Sequence, residues 1–224
     1  MELKDLNYYF DLSNFIHRDL FAGSEYVWDF LTRLSDYVIQ NLQPAIAGTV
    51  MPGAFVGDNV HIGKGTVVQP GAWIHGPAII GDNCEIRHGA YVGANTITGD
   101  GVVIGHASEV GNSVFLNDSR APHFAFVGHS VLGNKVNLGA GTKISNYKVT
   151  ATNIKVGGVD TGLLKVGVLI GDNSSLGCNS VLQPGSLLGR HVYSYPLALI
   201  RGFVPSSTII KVRPVQEDAR FEHK

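Results

Sequence analysis

The chain has 224 residues and a formal net charge of −1, so its composition gives no basis for a nucleic-acid surface or a general membrane patch. Hydrophobic residues make up 44% of the chain and charged residues 16%, which excludes an intrinsically disordered protein. The 28 glycines favour a turn-rich, all-β architecture with one sizeable core.

Residues 1–45 carry one amphipathic helix pattern and no repeat. The apolar residues on one helical face are Val27, Leu31, Leu34, Val38 and Leu42. Ser24 is the predicted N-cap, and Pro44 ends the pattern. We expect residues 1–45 to form a helical N-terminal cap that covers the open end of the repeats that follow, with an interaction motif as the alternative.

Compartment and redox state follow from two further features. The two cysteines, Cys84 and Cys178, belong to no CxxC or zinc-ligand pattern, which favours reduced thiols. The first residues include several acids, unlike a signal peptide, and no apolar run approaches the roughly 20 residues of a membrane span. These observations predict a cytoplasmic protein with no membrane or nucleic-acid partner.

From residue 50 onwards, an aliphatic residue recurs every six positions. The first run is Val50, Val56, Ile62, Val68, Ile74, Ile80, Ile86, Val92, Thr98, Ile104, Val110 and Leu116, in which only Thr98 is not aliphatic. The six-step pattern resumes at Leu132 and again at Leu164, giving about seven triangular coils of three hexads. Helices and ordinary strands have periods of 3.6 and 2, so neither explains a period of six.

A hexad of this kind is a short strand followed by a tight turn. The large aliphatic side chain fills the interior, and glycine or asparagine supplies the backbone conformation of the turn. Stacked coils then bury what one coil leaves exposed. The pattern predicts a parallel β-helix over residues 46–190 and a C-terminal extension over residues 191–224. Its breaks at residues 117–125 and 148–163 are interpreted as loops that leave the wall and carry function.

Four short motifs carry a specific resemblance to a known family: residues 110–112 (VGN), 122–123 (PH), 127–128 (VG) and 136–142 (VNLGAGT). The sequence resembles the acetyltransferase domain of bifunctional glucosamine-1-phosphate acetyltransferase/N-acetylglucosamine-1-phosphate uridylyltransferase. It is equally similar to the C-terminal domain of archaeal sugar-1-phosphate nucleotidylyltransferases. The resemblance covers roughly residues 20–190. It implies a left-handed β-helix, a homotrimer with sites between subunits, and acetyl transfer from acetyl-CoA to an amino sugar phosphate or a related sugar, with no metal required.

The resemblance also implies substrate-binding and catalytic roles for matching residues. His123 matches the general base, a role suited to imidazole, which exchanges protons near neutral pH. Arg87 and Lys155 match cations that bind the acceptor phosphate, and Asn137 and Asn146 match sugar- and acetyl-contacting asparagines. The ordinary alternatives are a structural loop histidine, an outward-facing arginine and turn asparagines.

For the acyl donor, the resemblance implies a second set of contacts. Ala140 and Cys178 match positions whose backbone lies along the CoA arm, and Arg201 matches an arginine near the nucleotide phosphates. A backbone amide in this region would stabilise the tetrahedral oxyanion.

Three departures from the family pattern weaken the functional prediction. The family has a lysine near Asn117 and a tyrosine at Phe126, both of which contact the acceptor. The stretch before His123 is about one hexad shorter, which predicts that His123 faces a different side. No Gly-rich nucleotide loop precedes the β-helix, so the nucleotidyltransferase domain is expected to be missing.

Two other functions therefore stay open. The first is a non-catalytic β-helix that binds a sugar nucleotide or a partner protein. The second is a metal enzyme like γ-carbonic anhydrase, because His88 and His106 lie eighteen residues apart and should stack on one face. Such a zinc site needs a third histidine, from a neighbouring subunit.

Overall fold

The computed structural model describes residues 2–213 and residue 219. The described residues contain two short 3₁₀ helices, Leu6–Tyr8 and Arg18–Phe21, and one α-helix, α1 (Phe30–Asn41). The strands of the described residues are, in chain order, β1 (Ala45–Ile46), β2 (Thr49–Val50), β3 (Phe55–Val56), β4 (Val60–Ile62), β5 (Val67–Val68), β6 (Trp73–Ile74), β7 (Ala78–Ile80), β8 (Glu85–Ile86), β9 (Tyr91–Val92), β10 (Thr96–Thr98), β11 (Val103–His106), β12 (Glu109–Gly111), β13 (Ser113–Phe115), β14 (Arg120–His123), β15 (Phe126–Gly128), β16 (Val131–Leu132), β17 (Asn137–Leu138), β18 (Lys143–Ile144), β19 (Lys155–Val156), β20 (Val159–Asp160), β21 (Val168–Ile170), β22 (Ser175–Leu176), β23 (Val181–Leu182), β24 (Ser186–Leu188), β25 (Tyr193–Ser194), β26 (Leu199–Ile200), β27 (Phe203–Val204) and β28 (Ile209–Ile210).

The strands form three parallel sheets that are the sides of a prism, as the repeat predicts. Sheet A runs β1-β4-β7-β10-β13-β16-β21-β24-β27, and sheet B runs β2-β5-β8-β11-β14-β17-β22-β25-β28. Sheet C contains β3, β6, β9, β12, β15, β18, β23 and β26. Each coil contributes one strand to each sheet, so the chain is a left-handed parallel β-helix of about nine turns. The predicted fold class is confirmed.

The six-step aliphatic residues form the interior of the prism, except for Leu116, which packs in the apolar cluster outside sheet A, and Leu164, which is exposed. Ile62, Ile80, Ile104, Leu138 and Ile170 are all fully buried there. Small residues sit beside them at the corners, and their hydroxyl groups bond to the backbone of neighbouring coils; Thr66, for example, bonds to the Gly81 carbonyl at 2.7 Å. The core is therefore apolar in the centre and hydrogen-bonded at its corners.

The prediction of about seven coils ending at residue 190 is wrong. Strands β25 to β28 continue sheets A, B and C as far as residue 210. The pattern hid them because Ser194 occupies an interior step, and because Leu187 pairs with Phe203, only sixteen residues later. Of the predicted C-terminal extension, residues 214–218 and 220–224 lie outside the described residues.

The two breaks in the pattern differ in kind. At the first, no loop forms: Val103 pairs with Arg120, seventeen residues later instead of eighteen, so this coil is one residue shorter. At the second, Asn137 pairs with Ser175, thirty-eight residues later, and the insertion holds the antiparallel hairpin β19-β20. The predicted loop at residues 117–125 is therefore a regular part of the wall, and only the second break is an insertion.

The N-terminal segment does not cover the open end of the first coil. Its buried aromatic residues instead pack on the outer face of sheet A: Phe10, Phe15, Phe21 and Phe30 share one apolar cluster with Ile97, Val114, Val131 and Leu169. At the first coil, Val50 and Val56 stay partly exposed beside a shallow opening. The predicted cap is therefore a side cover, because sheet A presents apolar residues outwards on successive coils.

Helix α1 begins later than the sequence suggests. Its N-cap is Asp29, whose carboxylate accepts the N–H groups of Glu25 and Tyr26 in the preceding turn; Ser24 does not cap it. Phe30, Leu34 and Val38 form its buried face. Within residues 2–213 and 219, no helix is both long and apolar enough to cross a membrane.

Candidate functional site

The turns that join sheet B to sheet C stack into a single ridge, which we call the B/C edge. Equivalent positions on successive coils are Pro70, His88, His106, His123, Ala140, Cys178 and Pro196. The register of β11 with β14 pairs His106 directly with His123. The structure thus brings His123, Ala140 and Cys178 into one row, on three successive coils.

His123 ends β14 and is exposed on this ridge. The chain turns immediately after it, because Phe124 has the left-handed φ of 51°. Below it, a Cβ on Gly105 would lie 1.7 Å from the carbonyl oxygen of Pro122, so glycine is needed for the two coils to approach. The His123 carbonyl accepts the Gly141 N–H at 3.0 Å, which fixes the segment to the next coil.

The shorter coil does not move His123 to another side of the prism. A deletion of one residue is absorbed in the turn between sheets C and A, because Glu109 pairs with Tyr91 eighteen residues earlier but Ser113 pairs with Thr96 only seventeen residues earlier. The row along the B/C edge therefore continues from His106 to His123 to Ala140. Since parallel strands are about 4.8 Å apart, Ala140 and Cys178 continue the ridge from His123 in steps of about 5 Å.

The guanidinium of Arg87 is already occupied. It lies on the B/C edge two coils from His123, about 10 Å away at the spacing of parallel strands. Its Nε and Nη2 both lie 2.8 Å from a carboxylate oxygen of Glu85, in a partly exposed ion pair. Asn137 lies on the outer face of sheet B, where it pairs with Arg120 of the His123 strand.

A second row lies on the ridge between sheets C and A, which we call the C/A edge. Asn112, His129 and Asn146 occupy equivalent positions there on three successive coils. The side-chain amide of Asn146 donates to Nδ1 of His129 at 2.9 Å. Burial, with a smaller contribution from the charge of Lys165, lowers the pKa of His129 from 6.5 to about 4.

Two adjoining cavities of about 290 and 400 Å³ share Asn112, His129 and Lys165 at this edge. We call them the C/A groove. Residues from three sources complete its walls: Tyr91, Glu109, Phe126 and Asn146 from sheet C and its turns, Leu31, Leu34 and Ser35 from α1, and Tyr147, Leu163 and Leu164 from the insertion. The groove therefore combines aromatic surface, amide groups, one carboxylate and one ammonium group.

The cation beside Asn146 is Lys165 and not Lys155. Lys155 lies exposed on β19, opposite Asp160 in the hairpin. Where the insertion returns to the wall, Lys165 forms an isolated antiparallel β-bridge with Tyr147. The two ends of the insertion therefore meet at the groove. The sequence interpretation missed Lys165 and His129; counting one seventeen-residue coil back from Asn146 identifies His129.

Six of the eight predicted site residues are divided between two ridges of one chain, while Asn137 lies on the face of sheet B and Lys155 on the hairpin. His123, Ala140, Cys178 and Arg87 lie on the B/C edge, whereas Asn146 and the exposed Arg201, which follows β26, lie on the C/A edge. One hexad of nearly extended chain separates the ridges, which corresponds to roughly 15–20 Å. A base on one ridge is therefore out of hydrogen-bond reach of a group bound on the other ridge of the same chain.

The two family departures lie in different places. Asn117 is on the ridge between sheets A and B, where it accepts the Asp100 N–H and donates to the Asn14 carbonyl, so it is part of the scaffold. Phe126 lines the C/A groove beside Tyr91. The substitution at Phe126 therefore changes the chemistry of the C/A groove, whereas Asn117 lines two cavities at the ridge between sheets A and B.

The paired histidines do not converge on one metal ion. The rings of His88 and His106 are parallel, with centroids 5.4 Å apart, and each Nδ1 bonds to a backbone carbonyl. Two zinc–nitrogen bonds of about 2.1 Å span at most about 4.2 Å. Among the described residues, no group of three His, Cys, Asp or Glu side chains is placed to hold a metal.

Comparison with known proteins finds sequence similarity to sugar-1-phosphate nucleotidylyltransferases and structural similarity to an acyltransferase. Residues 74–160 match the family model described as the GMPPB C-terminal domain. A bifunctional sugar-1-phosphate nucleotidylyltransferase/acetyltransferase of Sulfurisphaera tokodaii is 35% identical over 104 residues, 45% of this chain and 26% of that protein. The bifunctional protein GlmU of Methanococcus vannielii is 32% identical over 168 residues, 73% of this chain and 40% of that protein. The predicted resemblance is confirmed.

The chain spans less than half the length of these curated relatives. Among solved structures, the UDP-N-acetylglucosamine acyltransferase of Francisella novicida superposes with a TM-score of 0.51 at 15% identity, covering 75% of this chain and 60% of that one. At that identity the likeness concerns the fold, and it supports the hexapeptide-repeat β-helix described above.

Proposed function

We propose that this protein transfers an acyl group, the acetyl group of acetyl-CoA, to the amine of an amino sugar phosphate or a nucleotide-linked amino sugar. The observation that carries the proposal is the row of His123, Ala140 and Cys178 along the B/C edge. The imidazole of His123 is followed on the next two coils by the small side chains of Ala140 and Cys178. This leaves an extended, open surface along the ridge, which suits the extended pantetheine arm of CoA.

In the proposed reaction, His123 is the general base. It takes a proton from the amine as the nitrogen attacks the thioester carbonyl, and the C–N bond forms. The backbone N–H of Ala140 itself stabilises the oxyanion of the tetrahedral intermediate, since the neighbouring Gly139 and Gly141 N–H groups donate within the wall. The C–S bond then breaks, and the imidazolium returns the proton to the thiolate, so the products are the amide and free CoA.

The acceptor is proposed to bind in the C/A groove of a neighbouring copy. Asn146 supplies hydrogen bonds, and Lys165 replaces Lys155 as the cation that faces a phosphate. Because the two ridges of one chain are too far apart for proton transfer, the site is complete only where His123 of one copy meets the C/A groove of another. Arg201 is proposed to face the nucleotide phosphates of CoA at the same junction.

The outer face of sheet C supports assembly into the homotrimer that the resemblance implies. Five apolar side chains on this face are exposed: Phe55, Trp73, Tyr91, Val181 and Leu199. They form two patches, one of Phe55, Trp73 and Tyr91, in which the rings of Phe55 and Trp73 stack at 4.0 Å, and one of Val181 and Leu199. Glu109, Phe126 and Lys143 lie between the two patches. Exposed apolar patches of this kind are typical of interfaces between subunits.

Replacement of Trp73 by glutamate is expected to dissociate the assembly, because it places a charge in the middle of the patch formed by Phe55, Trp73 and Tyr91. Sedimentation equilibrium measures the result as a threefold fall in particle mass. Ile39→Glu is the matched control, since Ile39 is equally apolar and 62% exposed on α1, away from sheet C. Dissociation by both variants, or by neither, would contradict sheet C as the interface.

Thiol release measures the proposed reaction directly. Acetyl-CoA is incubated with glucosamine 1-phosphate, with nucleotide-linked amino sugars, and with glucose 1-phosphate as the matched control without an amine. We expect free CoA only with an amine-bearing acceptor. Equal release with the control would show hydrolysis and contradict acyl transfer.

A non-catalytic sugar-nucleotide-binding β-helix is the second candidate. It is favoured by the ion pair of Arg87 with Glu85, which engages the guanidinium, and by the apolar Phe126 in the groove. Calorimetry separates the two candidates, because a binding module without acyl transfer does not require acetyl-CoA. Nucleotide-sugar binding without acetyl-CoA binding would support this second function.

A further inference from the structure

His129 is held rigidly at the C/A edge by its own backbone. It adopts the left-handed φ of 55°, its N–H donates to the Gly111 carbonyl, and its carbonyl accepts the Gly167 N–H at 2.8 Å. It is thus fastened to the coil on each side. A residue whose backbone is fixed in this way can hold a neighbouring side chain in one orientation.

The neighbour that His129 contacts is Asn146. A side-chain NH₂ group can only donate, so Nδ1 of His129 is the acceptor of their 2.9 Å hydrogen bond. The ring is neutral at physiological pH, since the pKa of His129 is lowered to about 4, and its proton is then on Nε2.

The wall is built to admit this contact. A Cβ on Gly128 would lie 2.5 Å from Nδ2 of Asn146, so a larger residue would push the amide out of place. The Asn146 carbonyl accepts the Val166 N–H at 3.0 Å, which closes the insertion beside Lys165. The amide is therefore restrained by its backbone, by Gly128 and by His129.

We infer that His129 is a positioning residue that fixes the side-chain amide of Asn146, so that the amide oxygen of Asn146 faces the acceptor in the C/A groove. This inference rests on the proposed function, because it assigns the groove to the acyl acceptor. With its NH₂ group bound to His129, Asn146 presents its oxygen to an N–H or O–H donor. The ligand class is thus an acceptor with an amine or hydroxyl group.

Two variants at one position separate positioning from mere packing. In His129→Asn, the amide oxygen takes the place of Nδ1, and asparagine tolerates the left-handed backbone. His129→Leu removes the acceptor. We expect the leucine variant to raise the KM of the acceptor by about tenfold and the asparagine variant to stay within about threefold of wild type, with the KM of acetyl-CoA unchanged in both.

The matched control is His191→Leu, a histidine that is exposed in the same left-handed conformation on another ridge. It is expected to leave both KM values unchanged. An unchanged acceptor KM in His129→Leu, or an equal loss in His129→Asn, would overturn the positioning role. Thermal unfolding of each variant identifies a loss that comes from misfolding.

A spectroscopic measurement tests the contact without any turnover. The other titratable groups that line the groove are Tyr91, Glu109, Tyr147 and Lys165. In ¹H–¹⁵N spectra, the side-chain amide signals of Asn146 should shift as His129 is protonated near pH 4, and this step should vanish in His129→Asn, which keeps Glu109. If the wild-type chain transfers no acyl group, the proposed function fails while this result still decides the contact. If the Asn146 side-chain signals do not change as His129 is protonated, the proposed contact between the two residues is overturned.

Discussion

Replacement of His123 by alanine is expected to lower kcat for acyl transfer by about 10²–10⁴-fold, because a positioned general base contributes that much to proton transfer. His123 is exposed on the B/C edge, so removal of its ring should cost little packing. The variant should therefore unfold at the wild-type temperature and still bind acetyl-CoA. A thiol-release assay under saturating substrates gives kcat, and calorimetry gives donor affinity.

The matched control is His106→Ala, on the preceding coil of the same ridge. His106 pairs with His123 in the register of the sheet and is equally exposed, but it has no assigned role in the reaction. Its removal should change kcat by less than about threefold. Unchanged turnover in His123→Ala, or an equal loss in His106→Ala, would remove His123 from the mechanism.

Replacement of Asp172 by alanine is expected to lower the free energy of unfolding by about 3–5 kcal/mol, the usual cost of leaving buried partners without their charge. The Asp172 side chain is 5% exposed. It accepts the Asp11 N–H, the Asn134 N–H and the Asn134 side-chain amide, and lies 3.8 Å from Nε of Arg190. It thus ties the N-terminal segment to two coils. The midpoint temperature of thermal unfolding should fall by about 10 °C for a chain of this size.

Asp82→Ala is the matched control for Asp172. Asp82 occupies the equivalent turn between sheets A and B, where it accepts one N–H, from Lys64 at 2.7 Å, near solvent. Loss of that bond should cost about 1 kcal/mol. Equal destabilisation by the two variants would contradict the anchoring role of Asp172.

Burial raises the pKa of Asp172, so the interior holds this carboxylate at a cost that its hydrogen bonds offset.

The interior of the prism was predictable because its rule is local: every sixth side chain points inwards. The covered face was predictable in principle as well. The outward residues of sheet A, such as Ile79, Ile97 and Val114, are apolar, whereas those of sheet B include Glu85 and Arg120. The helix pattern predicts that α1 buries one face, but it does not identify the surface that the face packs against. The apolar outward residues of sheet A identify that surface.

Coil lengths limited the prediction of the site. A coil of seventeen residues and a loop insertion both interrupt a six-step pattern, and only strand register tells them apart. Counting in whole coils identifies His106, His123 and Ala140 as neighbours, whereas Lys165 returns to the wall after an insertion whose path the pattern does not encode. The proposed contacts between copies correspond in a single chain to the two exposed apolar patches of sheet C, which do not identify the groups that meet across an interface.

A mixing experiment tests most directly whether the site is shared between copies. Chains with His123→Ala are unfolded and refolded with chains that carry both Asn146→Ala and Lys165→Ala, each inactive alone. In random hybrids, about a quarter of the junctions join an intact His123 ridge to an intact C/A groove, so about a quarter of wild-type activity should return. Hybrids that form, as shown by tagged co-purification, and yet stay inactive would contradict a site built from two copies.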